Sequence, residues 1–280
     1  MVRIITDSAA DFEPFELEQL KIDCIPIRVM LGEQEYEENR NLSKDQFFEL
    51  LASTGESPKT AQPSPQYLMD LLEQVKKNGE EAVYFTLSSA LSGTYQSAVM
   101  LKEDAEYDGA YIFDSLNATG GQRLLVQEAV RLRDEGKNAQ EIMEGVKAIQ
   151  DKIVLYACID TLEYLYRGGR ISQTVYKLGT MAQVKPIIRV SETGAIEVPA
   201  KAMGMRKGMD LMCKRIEQQK PSAGRPLYVM YTADRTNGEI LATKIRAMGI
   251  DVPDERIIQV GAGIGSHIGP NACGIVYVAE

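Results

Sequence analysis

Residues 82–98 read A-V-Y-F-T-L-S-S-A-L-S-G-T-Y-Q-S-A and join an apolar run to a run rich in hydroxyl groups. The first five residues have the composition of a buried strand, and the pattern near 94–104 is helical. A strand, a short polar loop and a helix make up the repeating unit of a parallel α/β sheet. The stretch therefore predicts such a sheet, with a cluster of hydroxyls at the point where the strand ends.

The same alternation runs through the first half of the chain. Helical patterns occur near residues 43–52, 65–77 and 118–135, and Ser64-Pro65 predicts a helix that begins at the proline. Between them lie the β-rich runs V-R-I-I-T, C-I-P-I-R-V-M, A-V-Y-F-T and A-Y-I-F. This half is predicted to form a Rossmann-like parallel sheet flanked by helices.

The second half has a different pattern. A polar helix near 136–152 precedes the run I-V-L-Y-A-C-I, and residues 185–199 carry a hairpin signal. A helix from about 205 to 219, a strand, a helix near 237–247 and a final pair of strands follow. We predict an α/β protein with two domains. Residues 1–150 form the Rossmann-like domain, and residues 151–280 form an α+β domain with a mixed sheet.

Composition excludes several classes of function. The 280 residues carry a net charge of -9, so the protein as a whole repels nucleic acid and anionic membrane surfaces. The sequence begins without a signal-peptide pattern and has no apolar run of the ~18 residues that a membrane span needs, which predicts a cytoplasmic protein without stable membrane insertion. Four scattered cysteines and one histidine suggest neither a metal site nor a disulfide framework, and no cofactor is expected.

Four polar segments are predicted at the carboxyl ends of strands, where open parallel sheets bind ligands: 6–8, 59–62, 88–94 and 114–115. Each hydroxyl has the alternative role of capping the helix that follows. Segment 88–94, however, has more hydroxyls than one cap requires. A helix N-terminus with hydroxyl donors favours an anion. No Lys or Arg lies between 83 and 100 to neutralise a polyphosphate, so a single carboxylate fits better.

The glycine-rich run G-A-G-I-G-S-H-I-G-P at 261–270 is similar to a dinucleotide fingerprint, but Ser266 stands where the third glycine belongs. Only ten residues follow this run, too few for the rest of a βαβ unit. We interpret it as a tight turn that carries His267. Arg167 and Arg170 flank two glycines and predict a helix end.

A serine hydrolase is the first alternative function, and it would need Ser92 or Ser89 as nucleophile and His267, the only histidine, as base. The nucleophile elbow G-x-S-x-G is absent, because residues 90–94 read A-L-S-G-T. A small-molecule sensor is the second alternative. Both stay open at this point.

Six motifs in order resemble the DegV family along the whole chain: T-D-S at 6–8, K-T-A-Q-P-S at 59–64, L-S-S-A-L-S-G-T-Y-Q-S-A at 87–98, Y-R-G-G-R-I-S at 166–172, K-P-I at 185–187 and S-H-I-G-P-N-A at 266–272. The resemblance implies a two-domain bacterial fatty-acid-binding protein without chemistry of its own. Such a protein carries palmitate, stearate or oleate and presents the carboxylate to a separate fatty acid kinase. The resulting acyl phosphate would serve phospholipid synthesis.

The resemblance also implies the site residues. Thr60 and Ser92 would hold the carboxylate with Gly93, and His267 would lie close to the same headgroup. Ser115 and Arg170 are secondary candidates, and the acyl tail would run between the two domains. The chain departs from the family pattern at three positions, where Ser, Arg and Gly are replaced by Ala61, Met203 and Asn271.

Overall fold

The computed structural model describes residues 2–179 and 183–280. The strands, in chain order, are β1 (Arg3–Asp7), β2 (Ile22–Ile25), β3 (Arg28–Leu31), β4 (Gln34–Glu37), β5 (Lys59–Ala61), β6 (Ala82–Thr86), β7 (Ala110–Asp114), β8 (Ile153–Cys158), β9 (Val184–Val190), β10 (Ile196–Met203), β11 (Tyr228–Tyr231), β12 (Ile257–Gln259) and β13 (Cys273–Val278).

The helices are α1 (Pro14–Leu20), α2 (Lys44–Thr54), α3 (Pro65–Asn78), α4 (Thr94–Asp104), α5 (Thr119–Asp134), α6 (Ala139–Gln150), α7 (Glu163–Arg167), α8 (Gln173–Gly179), α9 (Met205–Gln218), α10 (Thr236–Arg246) and α11 (Ala262–Ile268). Two short 3-10 helices cover Ser8–Ala10 and Asp254–Arg256. Among the helices described, none is both long and apolar enough to cross a membrane.

The first sheet has four parallel strands in the order β2-β1-β6-β7, as the sequence predicts. Alternate residues of a strand point to opposite faces, and both faces of this sheet are covered. Ile5 and Tyr84 pack with α3 and α4 on one face. Ile4 and Phe85 pack on the other face, in the same cluster as residues of α5 and α6. The predicted Rossmann-like arrangement is confirmed.

The second sheet is mixed and has the order β10-β9-β8-β13-β11-β12, in which only the β11–β12 pair is parallel. The predicted hairpin is confirmed as β9 and β10. Helices α9 and α10 cover one face of the sheet. Helix α5 lies against the other face, so close that a Cβ on Gly120 would be 2.4 Å from Val276 Cγ1. One apolar cluster therefore spans both sheets, with α5 between them.

A third sheet corrects two predictions. The run C-I-P-I-R-V-M was predicted as one strand, but it divides at Pro26 into β2 and β3, which belong to different sheets. Segment 59–62 was predicted as a loop beyond a parallel strand. Instead it forms β5, which pairs antiparallel with β3 in the order β4-β3-β5. Proline has no amide hydrogen for a ladder, which favours a break at that position.

The helices of the first half start and end close to the predicted residues. Helix α4 covers the predicted range 94–104, and α3 begins at Pro65, although the side chain of Ser64 makes no capping hydrogen bond. The strands of the parallel sheet all precede residue 150, and those of the mixed sheet all follow it. The division into two domains at that residue stays a prediction.

Candidate functional site

A cavity of about 320 Å³ lies where the two sheets and the three-stranded sheet meet. Its walls come from β5, the loop between β6 and α4, α7, β10 and α11, so both halves of the chain contribute. The volume falls at the lower end of the range typical of small-molecule sites. Five of the six predicted site residues line this cavity: Thr60, Ser92, Gly93, Arg170 and His267.

Ser92 and Gly93 lie at the N-terminus of α4. The Ser92 hydroxyl lies 2.9 Å from Thr94 Oγ1 and accepts a hydrogen bond from the Thr94 amide at 3.3 Å. Ser92 thus satisfies the first amide of α4, but a hydroxyl can donate and accept at once, and Ser92 is only half-buried. The first amides of a helix have no intrahelical partner and attract anions. This corner of the cavity is suited to a carboxylate.

Gln62 also lines the cavity, although the sequence predicted only segment 59–62 as a whole and did not single out this side chain. It follows Thr60 by two positions, and its side chain covers Gly93 so closely that a Cβ on Gly93 would lie 2.4 Å from Gln62 Nε2. Thr94 also lines the cavity. The order K-T-A-Q, with a polar residue at every second position of an extended segment, was the available signal for Gln62.

His267 reaches the cavity from α11, which corrects the predicted tight turn. The segment Ala262–Ile268 is helical despite its glycines, and the chain turns only at Gly269, with φ 72°. Gly265 faces α2 so closely that a Cβ there would lie 2.8 Å from Phe48 Cζ. The small residues let α11 approach its neighbours, and they bring His267 within 2.9 Å of Thr60, measured from Nε2 to Oγ1.

The imidazole of His267 is neutral near pH 7. Burial, with a smaller contribution from the positive charge of Arg170, lowers the pKa of His267 from 6.5 to about 4. Nδ1 has no hydrogen-bond partner among the residues described, and a Cβ on Gly168 would lie 2.2 Å from it. We assign the proton to Nε2, which then donates to Thr60. The hydroxyl proton of Thr60 is left to be donated into the cavity.

Arg170 lies at the wall of the cavity, after the end of α7. Its guanidinium donates from Nε to Leu91 O at 2.9 Å and from NH1 to Gly168 O. It thus connects the C-terminal half to the loop that precedes Ser92. Its positive charge also favours an anion in the cavity.

Behind the polar corner, a smaller cavity of about 50 Å³ continues toward the mixed sheet. No polar surface is exposed in it, and it shares four lining residues with the first cavity: Ala118, Ile196, Ile264 and Ile268. Its far side is formed by strands of the mixed sheet, including Met230. The two cavities adjoin at these shared residues, and we refer to them together as the passage; its polar groups lie in the first cavity.

Ser115 lies outside the cavity. It is fully buried, it donates to Asn117 O at 3.0 Å and accepts from Asn117 N at 3.1 Å, and it does not line the cavity. The predicted role of Ser115 finds no support in its position. Its strand ends at the expected edge of the sheet, but the hydroxyl stabilises its own loop, as serine does in many turns.

The three departures from the family pattern lie in different places. Ala61 lines the cavity beside Thr60, so a missing hydroxyl there belongs to the site. Met203 is 66% exposed on the surface. Asn271 has φ 63°, a left-handed conformation that Asn tolerates well. Over the ranges 2–179 and 183–280, no group of three His, Cys, Asp or Glu side chains is placed to hold a metal ion.

The comparisons with known families agree along the whole chain. The model described as "Uncharacterised protein, DegV family COG1307" matches residues 1–280. A DegV domain-containing protein of Caldanaerobacter subterraneus is 30% identical over 279 residues, which cover 99% of this chain and 98% of that protein. One from Streptococcus pyogenes is 31% identical over 284 residues, covering 99% and 98%.

Solved structures have the same fold. A Bacillus subtilis DegV protein described as fatty acid binding superimposes with a TM-score of 0.85 at 25% identity, covering 100% of this chain and 99% of that one. A DegV family protein from Thermus thermophilus, described by its fatty acid binding, gives 0.89 at 24% identity with the same coverage. A stearic acid-binding protein from Eubacterium ventriosum gives 0.88 at 23% identity, covering 99% and 98%.

Proposed function

Since the chain belongs to the DegV family, we propose that it binds a long-chain fatty acid such as palmitate, stearate or oleate and presents the carboxylate to a separate kinase. One observation carries the proposal. A cavity lined by hydroxyl and imidazole donors shares four lining residues with a second cavity that exposes no polar surface. This is the polarity of a fatty acid, whose single charge lies at one end of a long apolar chain.

The fatty acids bound by relatives support this choice of ligand. A DegV family protein of Eubacterium eligens is described as loaded with heptadecanoic acid, and one of Ruminococcus gnavus is described with vaccenic acid. The adjoining cavities extend from the parallel-sheet half to strands of the mixed sheet, which suits a long acyl chain. The apolar lining supplies most of the affinity, at about 0.8 kcal/mol for each buried methylene.

The carboxylate would be held by Thr60, Ser92 and the N-terminus of α4 at Gly93. The hydroxyl oxygen of Thr60 accepts a hydrogen bond from His267, so Thr60 donates its own proton to one carboxylate oxygen. Ser92 donates to the other carboxylate oxygen. A carboxylate beside the imidazole also stabilises the imidazolium form and raises the pKa of His267. The positive charge of Arg170 also favours the carboxylate, and this does not require direct contact between the two groups.

The position of the carboxylate suits presentation to a second protein. Thr60 and Ser92 are half-buried and Gly93 is exposed, so the headgroup would lie near solvent while the tail is enclosed. A kinase would then transfer a phosphoryl group to a carboxylate oxygen and form an acyl phosphate. The chain itself would supply donors that stabilise the charge on that oxygen.

The hydrolase alternative is less well supported by the geometry. The bond that His267 Nε2 makes is to Thr60, whereas Ser92 pairs with Thr94. The other ring nitrogen faces Gly168 instead of a carboxylate that would orient the ring. In the part of the chain that the structure describes, Ser92 and His267 share a cavity but do not form a nucleophile–base pair.

The variant His267→Ala separates carrier from hydrolase. We expect it to retain measurable palmitate binding, because the apolar passage is intact, but to support kinase-dependent acyl phosphorylation poorly. Neither wild type nor variant should hydrolyse an activated ester above background. Wild-type ester turnover that disappears in both the His267→Ala and Ser92→Ala variants would contradict the proposal and favour the hydrolase.

A further inference from the structure

Two fully buried carboxylates lie at the start of α11, outside the cavity. Glu38 is 2% exposed and Asp11 is 1% exposed. Carboxylates are rarely buried unless they are hydrogen-bonded or paired, because desolvation of the charge is costly. Neither residue lines the cavity in which we place the ligand. Their burial therefore calls for another explanation.

Both carboxylates accept hydrogen bonds from the backbone at the N-terminus of α11. The Gly261 amide donates to Asp11 Oδ1 at 2.8 Å, and the Gly263 amide donates to Glu38 Oε1 at 3.2 Å. These amides have no intrahelical acceptor, and the helix dipole favours negative charge there. The two side chains thus act as external caps of a helix whose own N-terminal residues lack capping side chains.

The glycines of this run have a steric role. A Cβ on Gly261 would lie 2.0 Å from Glu38 Oε1 and 3.0 Å from Asp11 Oδ1, and a Cβ on Gly263 would lie 3.1 Å from Glu38 Oε2. A side chain at Gly261 would displace the Glu38 carboxylate, and one at Gly263 would press against it. The run G-A-G, similar at first sight to a dinucleotide fingerprint, makes room for two buried acids.

The carboxylates are themselves fixed by the N-terminal half. Ser8 Oγ donates to Glu38 Oε2 at 2.6 Å and accepts from the Ile27 amide at 2.9 Å. Thr119 Oγ1 donates to Asp11 Oδ2. The ammonium of Lys44 and the guanidinium of Arg123 both donate to the Asp11 carbonyl, at 2.8 and 3.2 Å. Elements of the parallel-sheet half thus hold the start of a helix from the C-terminal half.

Helix α11 carries the cavity residues Gly263, Ile264, His267 and Ile268. We propose that Glu38, assisted by Asp11, is a positioning residue that fixes α11 and thereby holds His267 against Thr60. The functional meaning of this inference rests on the proposed function, which places His267 at the fatty-acid headgroup. It assigns no ligand contact to Glu38.

The electrostatic surroundings are consistent with this role. Burial is the largest cause that raises the pKa of both carboxyls, and the Asp11 charge raises that of Glu38 further. Lys44 lowers both, and Arg123 also lowers that of Asp11. Buried Asp7 lies near the same group and adds negative charge. The fold holds both acids in place although burial of their charge is unfavourable, as expected for groups whose role is to fix the position of a helix.

The single histidine makes a direct test possible, because the Cε1–H NMR signal of His267 needs no assignment. The experiment uses the full chain after removal of lipid, so it does not depend on fatty acid binding. In Glu38→Ala the helix start loses its tether and the imidazole becomes hydrated. We expect the pKa of His267 to rise from about 4 toward 6.5. In Glu38→Gln, which retains an acceptor for the Gly263 amide, it should stay near the wild-type value.

A rise in Glu38→Ala reports a change of position and hydration, not a change of charge. Burial raises the pKa of Glu38 to about 7, so this carboxyl is protonated over the lower pH range in which His267 titrates, and its removal takes away no charge there. A pKa in Glu38→Ala that is unchanged or lower would overturn the proposal. The matched control is Glu128→Ala, which removes a 6% exposed glutamate of α5 that is bonded to Arg131 and Arg225, and it should leave the signal unchanged. An equal rise in that control would also overturn it.

Should Glu38→Ala fail to fold, Ser8→Ala replaces it. This variant removes one hydrogen bond to Glu38 and leaves both carboxylates in place, so a smaller rise in the pKa of His267 is expected. No rise in Ser8→Ala would count against the proposal. A wild-type protein that binds no fatty acid would contradict the proposed function and leave the result for Glu38 intact.

Discussion

Replacing Ser92 or Thr60 with alanine is expected to lower the affinity for palmitate without unfolding the protein. A hydrogen bond to a charged acceptor contributes ~1.5–3 kcal/mol, which corresponds to a loss of about 10- to 100-fold in affinity for each variant. The Thr60 variant also leaves His267 Nε2 without its partner at 2.9 Å, so its loss should be at the upper end. Isothermal titration calorimetry with palmitate measures both.

The matched control is Ser89→Ala, a hydroxyl in the same loop that does not line the cavity. Its affinity for palmitate should equal that of wild type. Thermal unfolding of each variant separates loss of contact from loss of fold. If Ser92→Ala keeps wild-type affinity, the hydroxyl only caps α4 through the Thr94 amide, and the assignment of the headgroup site is wrong.

A larger side chain at Ala118 is expected to have the second large effect. Ala118 lines both the outer and the inner cavity, so the added atoms of Ala118→Leu enter the passage between them. A chain that is prevented from burying about four methylenes, at about 0.8 kcal/mol each, loses about 200-fold in affinity. Palmitate affinity should fall by that order.

Octanoate provides the internal control for Ala118→Leu, because a short chain does not need the inner cavity. Its affinity should change by less than about 3-fold, which is small beside the loss of about 200-fold expected for palmitate. Equal losses for both acids would indicate a general disturbance of the fold, and an unchanged palmitate affinity would show that the acyl tail takes another path.

The sequence predicts local structure well where one signal dominates. The proline at position 65 marks the start of α3, and the alternation of strands and helices gives the parallel sheet. The polar loop before α4 is also placed correctly, since its glycine and hydroxyls follow a wholly buried strand. These features depend on residues that are neighbours in the chain.

The sequence fails where the deciding neighbours are distant. Segment 59–62 reads as a loop, yet it becomes a strand because β3 offers it a free edge. The glycines before His267 suggest a turn, but packing against Phe48 and two buried acids makes the segment helical. Ser115 lies at a strand end as expected, and its own loop takes up the hydroxyl. The sequence around Glu38 gives no signal that this side chain is buried.

The family resemblance supplied what local patterns could not. Thr60 and His267 are 207 positions apart and become hydrogen-bonded partners only in the folded chain. Hydroxyl clusters alone left an anion site, a nucleophile and simple caps as alternatives. The order of motifs along the chain selected the first of these, and the structure places five of the six residues around one cavity.

The most direct test of the central claim is native mass spectrometry of the freshly purified protein. A dozen buried methylenes contribute roughly 10 kcal/mol before the cost of association, so a long-chain fatty acid should remain bound through purification. We predict one such fatty acid per chain, released on denaturation and identified as a saturated or monounsaturated acid. A protein that yields no stoichiometric fatty acid, and that also takes up neither added palmitate nor added oleate, would contradict the proposed function.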